Sequence, residues 1–135
     1  MAQTPSNMLP LGTVAPNFEL INTIDNQLVN LQNGKGDHGT VIMFICNHCP
    51  FVIHVNEAFV AIATHYQKEG INFIAISSND AEKYPQDAPD KMKTHAFSNN
   101  YPFPYLYDES QDIAKAYDAA CTPDLYVFDA HLKLV

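Results

Sequence analysis

Two cysteines separated by two residues, in Cys46-Asn47-His48-Cys49, are the part of this sequence with the clearest chemical meaning. A thiolate is the nucleophilic form of cysteine, and a nearby pair can pass between dithiol and disulfide. We expect Cys46 to be the exposed, attacking sulfur and Cys49, one helical turn later, to be the shielded sulfur that resolves the bond. Asn47 and His48 are expected to tune the site, since an imidazole turned toward Cys46 would stabilise its thiolate.

The elements on either side of this motif give it a defined setting. Residues 40–45, TVIMFI, form a β-branched apolar run typical of a strand that is buried on both faces. An amphipathic helix follows from residue 51 to Gly70, because apolar side chains recur every three or four positions, at Val52, Val55, Phe59, Ile62 and Tyr66. The motif is therefore predicted at a helix N-terminus, where free N–H groups and the helix dipole stabilise a thiolate. A thiol there can have a pKa in the range of about 3.5–7.5 instead of about 8.5.

Two other interpretations of the cysteine pair stay open at this point. The cysteines could simply pack in the core, or they could bind copper or zinc. A zinc site needs four ligands, which would have to come from Cys46, Cys49, Cys121 and either His48 or His54. The histidines other than His48 show no ligand spacing and are expected on the surface or on helix faces: His38, His54, His65, His95 and His131.

The rest of the chain alternates strands and helices, which predicts an α/β domain. Strands are expected at 18–21, 27–31, 71–76, 105–107 and 125–128, and the first two should form an N-terminal β-hairpin around residues 23–26. One helix is expected to open at Asp87-Ala88-Pro89, with Asp87 as its cap, and another at Ser110. Residues 132–135 have the pattern of the start of another strand.

Composition limits the partners and the compartment. The chain has 135 residues, the size of a single domain, and 47% of them are hydrophobic. Its seven basic residues are all lysines, and fifteen acidic residues give a net charge of −8, which makes nucleic acid an improbable partner. The longest apolar run, 41–46, is too short for a membrane span or a signal peptide. We expect a cytoplasmic protein that does not enter membranes.

Together these residues resemble the thioredoxin-like superfamily, in particular the redoxin branch of alkyl hydroperoxide reductase and thiol-specific antioxidant proteins. Residues 11–20, LGTVAPNFEL, are similar to the opening G-x-x-A-P-x-F-x-L of that branch, and Cys46–Cys49 is similar to an active-site C-x-x-C. Three further stretches match the second half of the family: 105–108, 114–117 and 122–129. The resemblance covers nearly all of the chain and implies a thioredoxin-like fold, with a central mixed sheet flanked by helices.

The same resemblance implies roles near the C-terminus. Pro123 would be a cis-proline facing the disulfide, and the backbone of Thr122 would pair with an extended substrate. Cys121 is either a small buried apolar residue or a third thiol close enough to form an alternative disulfide. Family members continue beyond Val135 with a strand and a helix, so residues 1–135 are expected to be a single domain that lacks its last two elements.

The sequence also departs from the family in its site. Peroxide-reducing members carry P-x-x-x-[ST]-x-x-C and an arginine, but alignment on Cys49 places Ile42 at the proline and Cys46 at the Ser/Thr, and the chain has no arginine. The buried acid of thioredoxin has no counterpart in residues 40–45, which leaves the proton acceptor for Cys49 unassigned. A histidine before the second cysteine is similar to oxidising exchange enzymes. It predicts a reduction potential above about −270 mV.

We therefore expect a thiol–disulfide oxidoreductase that needs no cofactor, acts on a protein or small-molecule disulfide, and is recycled by a thiol reductant or a thioredoxin-type donor. The first alternative is a peroxiredoxin-like thiol peroxidase, with peroxide as substrate. The second is copper or zinc binding through Cys46 and Cys49. The third is a domain that serves interaction only.

Overall fold

Six strands form one mixed sheet in the computed structural model, which describes residues 9–47, 50–79, 81–119 and 123–135, without the side chains of 50–54. The strands are β1 (Glu19–Asn22), β2 (Leu28–Asn30), β3 (Gly39–Phe44), β4 (Ile71–Ser77), β5 (Tyr105–Tyr107) and β6 (Asp124–Asp129), in the order β2-β1-β5-β4-β3-β6. The helices are α1 (Leu31–Gly34), α2 (Pro50–Gln67), α3 (Pro89–Ser98) and α4 (Asp112–Ala116), with a 3₁₀ turn at Pro85–Asp87. The predicted α/β fold with a central mixed sheet is confirmed.

Strand β3 lies inside the sheet, parallel to β4 and antiparallel to β6. All six of its residues are buried, as the continuous apolar run predicted. Because successive side chains of a strand point to opposite faces, Ile42 and Phe44 enter one hydrophobic core while Val41 and Met43 enter the other. The carboxyl end of β3 is therefore held rigidly between two packed layers.

Different helices cover the two faces of the sheet. The core that contains Met43 is closed by Ala63 of α2 and by Met92 and Ala96 of α3. The opposite core includes Tyr117, which follows α4 and packs its ring 5.5 Å from that of Phe44. Within the described residues, no helix combines the length and apolar character that a membrane span requires.

The predicted N-terminal hairpin is confirmed. Strands β1 and β2 pair antiparallel, with Glu19 opposite Asn30, and the intervening turn includes Asn26 at a φ of 60°. Strand β1 also pairs with β5, so the hairpin extends the sheet at one edge. At the other edge, Lys133 and Leu134 form isolated bridges, which partly fulfils the prediction of a further strand in this segment.

Both predicted helix caps are wrong by one residue. The cap of α3 is Ala88, which makes no side-chain bond, and that of α4 is Gln111, at a φ of 67°. Ser110 accepts a hydrogen bond from the Asp112 N–H at 3.3 Å without being the cap. Asp87 is fully buried. Its side chain contacts the segment that follows β3.

Candidate active site

Cys46 lies two residues beyond β3 and four residues before α2 begins. The N–H of Ile45 donates to the Ile76 carbonyl at 3.0 Å, which continues the alignment with β4 for one residue past the strand. Cys46 is disulfide-bonded and has an exposed fraction of 0%. The expectation of an exposed attacking sulfur is therefore wrong for this state, because Cys46 belongs to the core beside Met43.

Asn47 is anchored by three hydrogen bonds to distant parts of the chain. Its backbone N–H donates to Asp87 Oδ1 at 2.8 Å, and its Nδ2 donates to the Gln86 carbonyl at 2.7 Å. Its Oδ1 accepts from the Tyr105 hydroxyl at 2.8 Å. The residue after Cys46 is thereby fixed at its backbone and at both ends of its amide. Asn47 is therefore held in place from both its backbone and its side chain, and its predicted tuning of the site stays a prediction.

Asp87 is the buried acid of this region, with an exposed fraction of 0%. Its Oδ1 accepts from the Asn47 N–H, and its Oδ2 accepts from Asn79 Nδ2 at 3.0 Å. Asn79 follows β4, so Asp87 joins the segments that leave two neighbouring parallel strands, β3 and β4. The two prolines near it, Pro85 and Pro89, fix φ on either side and restrict the loop to this path.

Tyr105, at the start of β5, lies behind the same segment and is completely buried. Burial raises the pKa of its phenol well above the ordinary value, and electrostatic interactions with Tyr101 and Asp87 act in the same direction. The phenol therefore stays protonated and remains a hydrogen-bond donor to Asn47 at physiological pH. Its ring packs 5.5 Å from that of Tyr101. Tyr101 in turn contacts Asn56 and His95, and we call the connected residues the polar cluster: Asn47, Asn56, Asp87, His95, Tyr101 and Tyr105.

His95, Tyr101 and Asn56 form a second, connected group. The Tyr101 hydroxyl donates to Asn56 Oδ1 at 2.6 Å, and it lies 2.9 Å from His95 Nε2. Asn56 Nδ2 is 3.3 Å from the same nitrogen. Burial lowers the pKa of His95, and the charge of Asp87 opposes this in part. Because Asn56 is on α2 and His95 is on α3, the group ties together the two helices that cover this core.

Pro123 directly precedes β6, whose Asp124 is opposite Phe44 of β3. One further step in this antiparallel register brings Pro123 opposite Ile45, one residue before Cys46. Pro123 is half-buried there. The sequence-based pairing of Pro123 with the cysteine segment is thus compatible with the register of the sheet.

Four of the residues predicted for the site lie outside the described part of the chain: His48, Cys49, Cys121 and Thr122. Their predicted roles stay predictions, as does the cis peptide bond before Pro123. Among the residues that the structure does describe, no three His, Cys, Asp or Glu side chains are grouped so that they could hold a metal ion.

Three residues of the polar cluster were not identified as site residues from the sequence. Asp87 looked like a helix cap, although Pro89 at the first helical position already assigns the cap to Ala88. His95 was expected on an exposed helix face and is partly buried. Tyr105 belonged to an aromatic and proline segment whose pattern indicated packing only. No local signal linked Tyr105 to Asn47, because the contact spans 58 residues.

The sequence profile of the AhpC/TSA family matches residues 11–135. No match was found among curated proteins. Among solved structures, an uncharacterized conserved protein of Geobacillus kaustophilus is 60% identical with a TM-score of 0.95, and the alignment covers 96% of this chain and 69% of that one. A hypothetical protein of Sinorhizobium meliloti 1021 is 39% identical with a TM-score of 0.93, covering 96% of this chain and 70% of the other.

A more distant structure shares the fold. The thioredoxin domain of a thiol-disulfide oxidoreductase from Bacteroides vulgatus is 17% identical, with a TM-score of 0.75, and the match covers 95% of this chain and 87% of that domain. The fold is therefore thioredoxin-like, as the sequence resemblance implied.

Proposed function

This chain belongs to the AhpC/TSA family, and from that membership we propose that it is a thiol–disulfide oxidoreductase in which Cys46 attacks a substrate disulfide and Cys49 resolves the product. The observation that carries the proposal is the position of Cys46. The residue is disulfide-bonded and lies two residues beyond the carboxyl end of a buried strand and four residues before a long helix. Ligands and reacting groups of open α/β sheets gather at this edge.

The proposed reaction transfers two electrons from the protein to the substrate. The Cys46 thiolate attacks one sulfur of the substrate disulfide, forms a mixed disulfide and releases the other substrate sulfur as a thiolate, which takes up a proton. The Cys49 thiolate then attacks Cys46 Sγ and releases the second substrate thiol. The protein is left with an internal disulfide, which an external thiol reductant or a thioredoxin-type donor reduces again.

Asn47 and Pro123 supply the framework for this exchange. Attack on a disulfide requires the three sulfur atoms to approach in line, so the backbone at Cys46 must be held still. The three hydrogen bonds of Asn47 hold it from one side. Pro123 and Thr122 are proposed to shape the groove in which the substrate lies beside Cys46.

The complete burial of Cys46 adds a requirement to the mechanism. A substrate can reach its sulfur only when the residues that cover it separate, so the reduced protein should react faster with small reagents than with large ones. Alkylation of reduced Cys46 by iodoacetamide and by a bulky maleimide, compared with the same pair of reactions on a free thiol, measures this difference.

Thiol peroxidase activity is the second candidate, and membership of the AhpC/TSA family favours it. In that reaction a cysteine thiol attacks the peroxide, becoming a sulfenic acid and releasing an alcohol or water. The other cysteine then condenses with the sulfenic acid, releases water and forms the disulfide. The chain has no arginine with which to orient a peroxide, and this favours disulfide exchange as the main activity.

Two assays and one trapping experiment test the proposal. The protein should catalyse the reduction of insulin by a dithiol, and it should consume hydrogen peroxide or an organic hydroperoxide much more slowly. A Cys49→Ser variant should accumulate a mixed disulfide through Cys46, whereas Cys46→Ser should trap nothing. Peroxide consumption that exceeds insulin reduction would favour the second candidate. The absence of any trapped species, with both activities missing, would overturn the redox assignment.

A further inference from the structure

The fully buried carboxylate of Asp87 reaches the active-site segment from a separate loop, 40 residues along the chain from Asn47. The sequence offered no acid for this site, since residues 40–45 contain none. Both carboxylate oxygens of Asp87 accept hydrogen bonds from N–H donors, those of Asn47 and Asn79. An ionised carboxylate, which has acceptor sites only, satisfies this arrangement.

We propose that Asp87 is a positioning residue for the reaction of Cys46 and that its buried negative charge disfavours the Cys46 thiolate, which biases the site toward donating electrons to substrates. The proposal rests on the thiol–disulfide function proposed above, and it specifies the direction of electron transfer, from the protein to the substrate.

Two physical effects act in the same sense. The N–H of Asn47 is the donor next to Cys46 in the chain, and it is already engaged by Asp87 at 2.8 Å, so it is not available to a thiolate. The carboxylate and a thiolate are also like charges, and inside a protein their repulsion is screened much less than in water. The sequence predicts that the helix N-terminus and His48 stabilise the Cys46 thiolate. Both effects of Asp87 oppose that stabilisation.

The effect of the Asp87 charge depends on the titratable groups that surround it. Tyr105 and Tyr101, from the β5 strand and the segment before it, are neutral phenols whose pKa values are raised. His95, from α3, has a lowered pKa and is mainly uncharged at neutral pH. His48 and Cys49 lie outside the described residues. These three described neighbours therefore add no positive charge at pH 7.

The consequence for electron transfer follows from the chemistry of dithiols. A stabilised thiolate stabilises the reduced protein and makes the couple more oxidising, and a destabilised thiolate has the opposite effect. Asp87 therefore lowers the reduction potential. The couple should be more reducing than the histidine before Cys49 alone would suggest.

The test uses matched variants to separate the effect of the Asp87 charge from the effect of the hydrogen bonds that Asp87 makes. Asp87→Asn keeps an oxygen that can accept from the Asn47 N–H, and the Asn79 amide can rotate to offer its own oxygen to the new amide. Asp87→Ser removes the same charge with a smaller side chain, and serves if the first variant does not fold. Asp90→Asn removes an exposed carboxylate three residues away. Asn79→Ala removes one hydrogen bond and keeps the charge of Asp87.

The first measurement is the rate of Cys46 alkylation against pH, in a Cys49→Ser/Cys121→Ser background where Cys46 is the one remaining thiol. We expect Asp87→Asn to move the midpoint to lower pH and to raise the rate at pH 6 about fivefold, as expected for removal of a like charge. Asp90→Asn and Asn79→Ala should keep the profile of the parent protein. This measurement needs no substrate, so it stays decisive if the disulfide exchange activity itself is absent.

The second measurement is the equilibrium with glutathione in a Cys121→Ser protein that retains Cys46 and Cys49. Asp87→Asn should shift the equilibrium about fivefold toward the reduced protein, which is about 20 mV for a two-electron couple. Unchanged profiles and potentials in Asp87→Asn and Asp87→Ser would overturn the proposal. So would an equal shift in Asn79→Ala, because the effect would then come from the loosened loop and not from the charge.

Discussion

The hydroxyl of Tyr105 donates a 2.8 Å hydrogen bond to Asn47 Oδ1, and this bond joins the start of β5 to the residue that follows Cys46. Tyr105 is completely buried, so its ring cannot move aside without opening the core around Met43. The hydrogen bond therefore anchors Cys46 and Asn47, which we call the cysteine segment, to the sheet. It also explains why a tyrosine occupies a position where phenylalanine would satisfy the hydrophobic packing.

Replacement of Tyr105 by phenylalanine should therefore impair both stability and turnover. The variant leaves Asn47 Oδ1 without this donor, and we expect the free energy of unfolding to fall by about 1–2 kcal/mol. We also expect disulfide reduction to slow by about tenfold, because the reacting segment is held less firmly. Urea denaturation and the insulin assay measure the two effects.

Tyr117→Phe is the matched control for this change. The Tyr117 hydroxyl also donates a hydrogen bond inside the protein, to the Pro16 carbonyl at 2.7 Å, but it lies in the opposite core. A similar loss of stability with normal turnover is expected. If both variants lose turnover equally, Tyr105 contributes only to stability, and its hydrogen bond to Asn47 has no role in the reaction.

His95 makes stability depend on pH on the acid side. Its pKa in the folded protein lies below the ordinary value of 6.5 because burial disfavours the charged ring. Between these two pKa values the unfolded chain binds more protons than the folded protein, so stability falls as the pH falls below about 6.5. We expect His95→Gln to reduce this dependence, measured as the difference between urea midpoints at pH 7.5 and pH 5.5.

His65→Gln provides the comparison, since His65 is on the exposed face of α2 with its side chain 69% exposed. It should retain the pH dependence of the parent protein. A parent protein whose urea midpoint is the same at both pH values would show that His95 is not held neutral by its surroundings.

The polar cluster should also affect stability on the alkaline side. Burial raises the pKa of Tyr101 from 10.0 to about 12, and the hydrogen bond to Asn56 opposes this only in part. The unfolded chain then loses its phenol proton first, so stability contributed by Tyr101 is lost as the pH rises from about 10 toward 12. An ultraviolet titration of phenolate should contain a step near pH 12 that Tyr101→Phe removes, and an unchanged titration curve in that variant would contradict the assignment.

The sequence was sufficient for the parts of the fold that depend on local patterns. The apolar run at 40–45 and the helical spacing after it predicted β3 and α2, and hence the position of Cys46 between them. Asp87 and Tyr105 could not be assigned to the site, because their contacts with Asn47 are made by elements 40 and 58 residues away. Which distant side chain reaches a given backbone N–H depends on strand order and loop path, and neither is encoded in a local pattern.

The coupling between Asn47 and Tyr105 gives the last prediction. Asn47→Ala removes the side-chain Oδ1 and Nδ2 atoms and keeps the backbone N–H that donates to Asp87. A double-mutant cycle with Tyr105→Phe should give an interaction energy of about 1 kcal/mol, since each single change already breaks the shared hydrogen bond. A cycle of Asn47→Ala with Tyr117→Phe should be additive within about 0.5 kcal/mol, because Asn47 and Tyr117 share no partner among the residues that the structure describes. Equal coupling in the two cycles would mean that Asn47→Ala disturbs the whole fold, and the 2.8 Å bond would then not account for the rigidity of the cysteine segment.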